Sequence, residues 1–496
     1  MKRLLYSCFF LYLSWALQGQ SNADYCWTAQ GSILPVYHLW DVQFLDDQHG
    51  WAASNGVIFA TTDGGNSWQQ QTIVGWNHGL IFGIHMLDAQ TGWAAGELRG
   101  VYQTQNGGAG GWQSKTMVVS PNPPEPWLTD VYFTDKNTGW VVGIMSNNGN
   151  TGEIYKTRDG GQTWERQISG VKSNDGGYLW DIQMVDSLTG WAVGDYGSIV
   201  ATTDGGTNWQ LQSSGTVRAF RDLFFLDKQQ GWVVGDGGII LHTADGGISW
   251  QPQPSGVSGT LRSVFFVDNQ TGWAAGNQGV ILNTADGGAS WQKVNSGTGE
   301  DLYGLSFTGA QTGWAVGWHG TVLKYGAVPA PAAAFDWTAS GKDIQFNNLS
   351  TGAVYSFWEF GDGKNSEETN PFHNYATPGI YTVKLTVANA CGTVTVFETA
   401  ITVTTTKVSG PESLGVFDVY PNPATGFFTV ALNGAPRPEL FLDLFDNTGR
   451  KVMNTSLDFQ SGTSFRKFSA ADYAPGIYWL RVSDDRGSAL RQIILK

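Results

Sequence analysis

The chain has 496 residues and a formal net charge of −14, a length that allows two to four domains. Only 14% of its residues are charged, whereas it contains 66 glycines and 23 tryptophans. This composition indicates many short strands joined by tight turns and argues against helical bundles. The acidic balance argues against a nucleic-acid partner, because it repels phosphate backbones.

The first 23 residues predict a secretory signal peptide. Lys2 and Arg3 precede an apolar run from Leu4 to Leu17, and the small residues Gly19 and Ala23 are candidate cleavage points. The run has ~14 residues, which is shorter than the ~20 that a membrane-spanning helix needs. We therefore expect export, with no transmembrane segment in the mature chain.

Cysteine usage excludes a disulfide framework. Cys8 lies in the predicted signal peptide, so the mature chain keeps only Cys26 and Cys391, which we expect in different domains. No Cys/His cluster has metal-ligand spacing. We expect no metal and no cofactor, and the pattern leaves the state of the two cysteines open.

A Gly-Trp dipeptide recurs seven times in the first two thirds of the chain. The copies begin at Gly50, Gly92, Gly139, Gly190, Gly231, Gly272 and Gly313. A period near 41 residues, built of short alternating strands, is typical of a four-stranded propeller blade. The sequence therefore predicts an all-β fold with a seven-bladed β-propeller over residues 24–326.

A second motif, Thr-x-Asp-x-Gly-x-x-Trp, ends most blades. Its aspartates are Asp63, Asp159, Asp204, Asp245 and Asp286, while blade two has Asn106 instead. The motif resembles the Asp-box, or BNR, repeat of sialidase-like propellers. We interpret these aspartates as structural, because a carboxylate can accept backbone N–H bonds within a turn and the blades repeat the motif.

The seventh repeat stops before its outer strand. The segment from Cys26 to Gly31 reads like the outer strands of the other blades. We therefore predict that the mature N-terminus pairs into blade seven and closes the ring, which also removes exposed sheet edges.

One propeller face carries the candidate binding site. The residues ten positions before each Gly-Trp glycine are Trp40, Phe82, Thr129, Trp180, Arg221, Arg262 and Tyr303. Asp181 and Asp222 follow two of them, and Trp318 and His319 lie in a neighbouring loop. Aromatic, cationic and acidic side chains together suit a sugar or peptide ligand. The alternative is a structural role, in which the two arginines pair with Asp181 or Asp222.

Two irregular segments, residues 120–127 and 144–152, are candidate specificity loops because they break the repeat.

Over residues 24–326 the blades, with Gly-Trp-Ala-Val-Gly and the Asp-box turn, resemble photosystem II stability/assembly factor-like propellers. That resemblance implies a non-catalytic protein that binds protein partners. We predict a non-enzymatic protein whose propeller face binds an extracellular glycan or protein. The alternative is a glycoside hydrolase, sialidase-like or xyloglucanase-like. A sialidase-like site needs three clustered arginines, whereas Arg99, Arg221 and Arg262 on this face come from blades two, five and six, and no Glu is placed to activate Tyr303.

Two further modules follow a linker at residues 327–333. Residues 334–404, with Trp358-Glu-Phe-Gly-Asp-Gly363, resemble the PKD domain, which implies an Ig-like β-sandwich. After a second linker at 405–414, residues 415–496 resemble the C-terminal sorting domain of the type IX secretion system through Tyr420-Pro-Asn-Pro423 and Ala474-Pro-Gly-Ile-Tyr478. The second resemblance implies handling by the type IX machinery, release of this β-sandwich, and a secreted or outer-membrane surface location.

Overall fold

The computed structural model describes residues 23–31, 33, 37–75, 79–115, 127–144, 152–171, 177–404 and 417–495, the last range with short gaps at 421, 435–436, 448, 460–461 and 485–486. Residues 1–22 of the predicted signal peptide, the interiors of the two candidate specificity loops and the second linker lie outside the described residues. The chain divides into two compact units. The first holds the propeller repeats and the segment Ala390–Thr393, and the second holds the remaining C-terminal part.

The first unit contains seven antiparallel sheets of four main strands, one for each Gly-Trp repeat. Blades one to three comprise β2–β5 (Leu39–Phe44, Gly50–Ser54, Ile58–Thr61, Gln69–Gln71), β7–β10 (Ile81–Met86, Gly92–Gly96, Val101–Thr104, Trp112–Ser114) and β11–β14 (Trp127–Phe133, Gly139–Ile144, Gly152–Thr157, Glu165–Gln167). Blade two carries an additional edge strand, β6 (Ile73–Val74), which pairs parallel to β10.

Blades four to seven repeat the same order of strands. They comprise β15–β18 (Leu179–Met184, Gly190–Gly194, Ile199–Thr202, Gln210–Gln212), β19–β22 (Phe220–Phe225, Gly231–Gly235, Ile240–Thr243, Gln251–Gln253), β23–β26 (Leu261–Phe266, Gly272–Gly276, Ile281–Thr284, Gln292–Val294) and β27–β29 (Leu302–Gly309, Thr312–Gly317, Val322–Pro329) with β1 (Ala23–Ala29).

The Gly-Trp tryptophan joins each blade to the next. Its indole stacks on an inner-strand phenylalanine of the following blade in five of the interfaces: Trp314 on Phe44, Trp93 on Phe133, Trp191 on Phe225, Trp232 on Phe266 and Trp273 on Phe307. In several blades the indole Nε1 also donates to a glycine carbonyl of the next Asp-box turn, as Trp314 does to Gly64 at 2.9 Å. The core of the propeller is thus a set of inter-blade layers.

The turn with the Thr-x-Asp-x-Gly-x-x-Trp motif is held by its own side chains. In blade one the Ser67 amide donates to Asp63 Oδ1 at 2.9 Å, and the Gly65 amide donates to Thr61 Oγ1 at 3.0 Å. Hydrogen bonds from Ser67, first of all, lower the pKa of Asp63 to about 2. Asp159, Asp204, Asp245 and Asp286 make the equivalent bonds in their own blades. These carboxylates stabilise the turns on the rim.

The N-terminal strand closes the ring, which confirms the prediction. β1 pairs antiparallel with β29 over seven residue pairs, from Ala23 with Pro329 to Ala29 with Leu323. β29 consequently extends to Pro329, three residues into the segment that the sequence assigned to the first linker. Trp27 packs in the interface between blades six and seven, with its ring 5.8 Å from that of Phe307.

Cys26 of β1 forms a disulfide with Cys391, across a sequence separation of 365 residues. The segment Ala390–Thr393 contacts the same strand through a hydrogen bond from Thr393 Oγ1 to the carboxylate of Asp24. The sequence left the state of these cysteines open and assigned them to different domains; the structure counts both within the first unit.

The PKD-like part of the second unit has two sheets. One contains β30 (Phe335–Ser340), β31 (Asp343–Asn348) and β34 (Phe372–Asn374), and the other contains β32 (Tyr355–Glu359), β33 (Asn365–Ser366), β35 (Gly379–Ala388) and β36 (Val394–Val403). Their core includes Trp358 and Tyr375, both fully buried. Asp362 accepts bonds from the Lys364 amide and from His373 Nε2, so its carboxylate is part of the turn.

The C-terminal part of the second unit is also a two-sheet structure. One sheet has β37 (Phe417–Tyr420), β38 (Phe427–Gly434) and β41 (Gly462–Ser469); the other has β39 (Arg437–Phe445), β40 (Lys451–Phe459), β42 (Gly476–Asp484) and β43 (Gly487–Leu495). Alternate residues of β39 and β42, such as Leu442 and Leu480, fill its core. The all-β architecture predicted from the sequence is confirmed.

Candidate binding site at the channel mouth

Every innermost propeller strand contains a β-bulge at the same position. In blade one the register skips from Leu39, paired with Ser54, to Asp41, paired with Ala53. The skipped residues of the seven blades are Trp40, Phe82, Thr129, Trp180, Arg221, Arg262 and Tyr303. A bulge redirects a side chain out of the regular pleat. All seven side chains line one cavity of about 190 Å³ at the mouth of the central channel.

Four of these side chains are fixed by a partner fifteen residues further along the chain. The bonded pairs are Trp40 with Asn55 (2.9 Å), Trp180 with Asp195 (2.8 Å), Arg221 with Asp236 (3.0 and 2.8 Å) and Arg262 with Asn277 (2.6 Å). In each blade the partner begins or precedes the turn between the second and third strands. The mouth is therefore ordered before any ligand arrives, which lowers the entropic cost of binding.

The two arginines of the mouth differ in how far they are neutralised. Arg221 lies over the ring of Trp180, makes a bidentate pair with Asp236, and places Nη1 3.6 Å from Asp195. Arg262 lies over the ring of Tyr303, 4.4 Å from its centroid. Its Nε donates to a neutral amide, and within the described part of the chain its two Nη groups have no hydrogen-bond partner.

Aromatic rings form a continuous ledge in the blades that follow Arg262 around the cavity. Trp40 packs edge-to-face against Tyr303 and Phe82, with ring centroids 4.8 and 5.6 Å away. His38 lies 5.2 Å from Trp318, which is 37% exposed. The ledge is rigid because neighbouring rings hold each other, and its exposed faces suit a flat, weakly polar ligand surface.

The floor of the cavity is a set of four half-buried aspartates, one on each of the inner strands β2, β11, β15 and β19. Each carboxylate reaches the next inner strand and accepts a backbone N–H there: Asp41 from Ile84 (2.8 Å), Asp130 from Ile182 (3.2 Å), Asp181 from Leu223 (2.7 Å) and Asp222 from Val264 (2.7 Å). These side chains therefore join adjacent blades around the channel.

Burial makes these carboxyl groups weak acids. Desolvation raises the pKa of Asp41 to about 6 and that of Asp130 to about 7. The pKa values of Asp181 and Asp222 lie well above the ordinary range, first because of burial and then because each faces the charge of a neighbouring aspartate. The floor carboxyl groups therefore lose their protons at higher pH than exposed aspartates do.

The structure brings seven of the nine predicted ligand-binding residues into the cavity lining: Trp40, Trp180, Arg221, Arg262, Tyr303, Asp181 and Asp222. Trp318 and His319 lie on the adjoining turn, where His319 Nδ1 contacts Glu300 at 2.8 Å. The arginines pair with Asp236, Asp195 and Asn277, and the alternative pairing with Asp181 or Asp222 is wrong.

Sequence reasoning missed two kinds of site residue. His38 precedes the first inner strand and lies outside the repeat pattern, so no periodicity points to it. The fifteen-residue spacing between Arg221 and Asp236, and between Arg262 and Asn277, is visible in the repeats, and it is the signal that identifies the side-chain partners.

The fold is that of an all-β, multidomain protein with a propeller at its N-terminal end, and the cavity is the candidate binding site of that propeller. Family profiles then specify the parts. "Photosynthesis system II assembly factor YCF48" matches residues 115–210, 166–256 and 252–326, "PKD domain" matches 328–405, and "Secretion system C-terminal sorting domain" matches 418–496. The chain thus has Ycf48-like repeats, a PKD domain and a sorting domain.

Individual relatives match parts of this arrangement. Photosystem II assembly lipoprotein Ycf48 of Synechococcus sp. (strain CC9902) is 27% identical over 150 residues, 28% of this chain and 42% of the lipoprotein. Collagenase ColA of Bacillus cereus (strain ATCC 14579) is 43% identical over 67 residues, 12% of this chain and 7% of the collagenase. The chain therefore spans less than half the length of either relative.

A solved structure of YCF48 bound to D1 peptide has the same propeller fold. It aligns with 62% of this chain and 98% of its own, at 20% identity and a TM-score of 0.50. The sorting domain indicates export by type IX secretion to the cell surface or the exterior. Among the described residues no helix has the length and apolar character needed to cross a membrane, and no group of three or more His, Cys, Asp or Glu side chains is arranged to hold a metal ion.

Proposed function

We propose that the exported chain is a non-enzymatic binding protein whose propeller mouth recognises an extracellular glycan or protein segment. The observation that carries this proposal is the ring of seven bulges, which directs side chains of seven blades into one cavity. Structural packing alone does not require every inner strand to interrupt its pairing at the level of the mouth. Bulges next to functional sites re-aim side chains, and this role fits the mouth.

The chemistry of the lining supports a glycan as the first ligand to test. Rigid aromatic faces supply contact area, and polar groups at fixed positions supply orientation. Trp40 provides such a face, and its indole N–H is already satisfied by Asn55. A protein segment is the alternative, since the solved YCF48 relative is bound to a peptide.

The floor argues against a glycoside hydrolase. The charges of Asp181 and Asp222 influence each other, and both side chains use their oxygens on backbone amides. Retaining glycosidases hold their two carboxyl groups about 5 Å apart, and inverting ones hold them further apart. The floor aspartates therefore support a role in holding the blades together rather than in acid–base catalysis.

The test is a glycan-array scan of the full chain, followed by titration calorimetry on each hit. We expect saturable binding that the Trp40→Ala variant weakens by about tenfold or more, because an anchoring aromatic face is lost. Phe372→Ala is the matched control, since Phe372 is 61% exposed and lies outside the propeller.

Two outcomes contradict the proposal. Binding that survives in Trp40→Ala and in Arg262→Gln places the site elsewhere. Release of shortened oligosaccharides during the titration, detected by mass spectrometry, supports the hydrolase alternative.

A further inference from the structure

We infer that the mouth selects a glycan carrying a single carboxylate on the bound sugar, such as a terminal uronic acid, and that Arg262 captures that carboxylate. This inference rests on the proposed binding function and adds the ligand class. It arises from a contrast between two equivalent positions in successive blades, Arg221 and Arg262.

Arg221 has little capacity left for a ligand. Two of its nitrogens bond to the carboxylate of Asp236, and the third faces Asp195. Its charge is therefore already compensated within the protein. In blade six the partner fifteen residues later is Asn277, a neutral amide, which fixes the Arg262 side chain without a direct ion pair, although the charge of Arg262 also helps to lower the pKa of Asp236.

The exposed end of Arg262 fits a carboxylate. Nε is occupied by Asn277, so the two Nη groups form the free edge of the guanidinium. Two parallel N–H donors on that edge match the two oxygens of a carboxylate in a bidentate pair. The ring of Tyr303 beneath the guanidinium shields one face from water, which strengthens the ion pair.

The remainder of the cavity indicates a sugar. Its volume of about 190 Å³ is smaller than the ~300–1,000 Å³ of pockets for drug-sized ligands, so it accommodates one ring-sized group. Trp40 lies directly beside Tyr303 and offers that ring an apolar face. In this arrangement Arg262 holds the carboxylate and the pyranose ring lies against the aromatic ledge. Both parts of the ligand then have a partner in the cavity.

The charge of the molecule favours one carboxylate over many. A chain with a net charge of −14 repels extended polyanions at low and moderate salt. Burial and neighbouring carboxylates raise the pKa values of Asp181 and Asp222 well above the ordinary range, which reduces the negative charge that the floor presents to a single anion.

The experiment is calorimetry of the full chain with three disaccharides: glucuronic acid linked to glucose, the methyl ester of the same compound, and cellobiose. We expect the acid to bind about 10- to 100-fold more tightly than the ester or cellobiose, the range for a charge-assisted bond. Arg262→Gln removes this difference, and Arg262→Lys retains part of it.

Controls separate a local effect from misfolding. Arg158→Gln removes an arginine that is 61% exposed and pairs with Glu165 on the rim, and it leaves the preference for the acid intact. We expect the unfolding temperature and near-ultraviolet circular dichroism of Arg262→Gln to match those of the wild type.

Each remaining result overturns a defined part of the scheme. Equal binding of acid, ester and cellobiose, lost in Trp40→Ala, overturns the carboxylate inference and leaves the proposed function standing. Binding of a peptide through its C-terminal carboxylate, lost in Arg262→Gln, overturns the sugar assignment. Failure of every sugar and peptide to bind overturns both the inference and the proposed function.

Discussion

The first position of each Gly-Trp repeat is glycine because a side chain would not fit there. A Cβ atom built on Gly231 lies 2.3 Å from the ring of Phe225, and one built on Gly139 lies 2.5 Å from the ring of Phe133. Where the inner-strand residue is methionine, as at Met184 opposite Gly190, the built Cβ lies 2.1 Å from the sulfur. The glycine thus makes room for the group on which the tryptophan of the preceding blade packs.

Gly231→Ala is therefore expected to destabilise the propeller. Phe225 has no space to retreat, because its opposite face is stacked on Trp191 at 3.6 Å. Overpacking of this kind costs about 1–3 kcal/mol of unfolding free energy, measured by urea denaturation. Gly326→Ala is the control, since a Cβ there meets no atom within 4 Å. Equal stability of the two variants contradicts the steric explanation.

At the level of single residues the sequence predicted positions better than partners. Counting back from Gly-Trp placed Arg221 and Arg262 at the mouth, because a repeat converts spacing directly into location. It did not show that one arginine is neutralised by Asp236 and the other only fixed by Asn277. That distinction depends on which residue stands fifteen positions later, and the pairing itself requires a bulge that redirects each arginine, which no residue type announces.

The inner strands are elements with two roles, lining the mouth and joining the blades. The bulged residue faces the cavity, and the residue after it, such as Asp130 or Asp222, bonds to the next inner strand. Gly83 and Gly304 occupy this position in blades two and seven; a Cβ on Gly83 would lie 2.5 Å from Asp130 Oδ1. Ligand recognition and ring cohesion are thus coupled through adjacent residues on one strand.

This arrangement predicts that stability falls as pH rises above neutrality. The folded-state pKa of Asp130 is about 7, against 3.8 for the ordinary side chain, so the folded state binds the proton more tightly than the unfolded state. The resulting stabilisation is complete below about pH 4 and is lost as pH rises through 7. Between pH 6.5 and 8.5 we expect a loss of about 1 kcal/mol from Asp130, and more as Asp181 and Asp222 ionise.

The measurement is urea denaturation across that pH range, in which His85 and the Asp-box carboxylates contribute little change. Burial lowers the pKa of His85 to about 4, so its effect is confined to pH values below the ordinary histidine range. Hydrogen bonding holds the Asp63 pKa near 2, and its contribution is lost only in strong acid. Asp130→Asn, which keeps an oxygen for the Ile182 amide, gives a shallower slope. We expect the control Asp268→Asn, on the exposed rim, to leave the slope unchanged. If Asp130→Asn shows the same slope as the wild type, the dependence of stability on the protonation of Asp130 is refuted.

At the scale of the whole molecule, the repeats predict nearly all of the propeller. Seven Gly-Trp copies gave the number of blades, and a missing outer strand in the last repeat placed β1 beside β29. The link from Cys26 to Cys391 was not predictable, because a contact across 365 residues follows from how the folded chain returns to β1 and not from any local pattern.

The disulfide is attached to the strand that closes the ring. β1 bonds only to β29 within its sheet, so the seam between the two ends of the propeller depends on one edge strand. The bond at Cys26 and the contact between Thr393 and Asp24 both lie on this strand. Removing the disulfide therefore frees the one strand whose loss opens blade seven and exposes Trp27 and Phe307 in the adjoining interface.

We accordingly expect Cys26→Ser/Cys391→Ser to lower the unfolding free energy by about 2–5 kcal/mol, the usual cost of losing a native disulfide. Hydrogen exchange of the Ala23–Ala29 amides should accelerate before that of inner strands such as β19, because an edge strand opens locally at less cost than the core. A reducing agent should reproduce both effects in the wild type and change neither in the double variant. If the variant instead loses stability evenly, with β1 and β19 exchanging together, the ring opens as one cooperative unit and the disulfide does not specifically protect the seam.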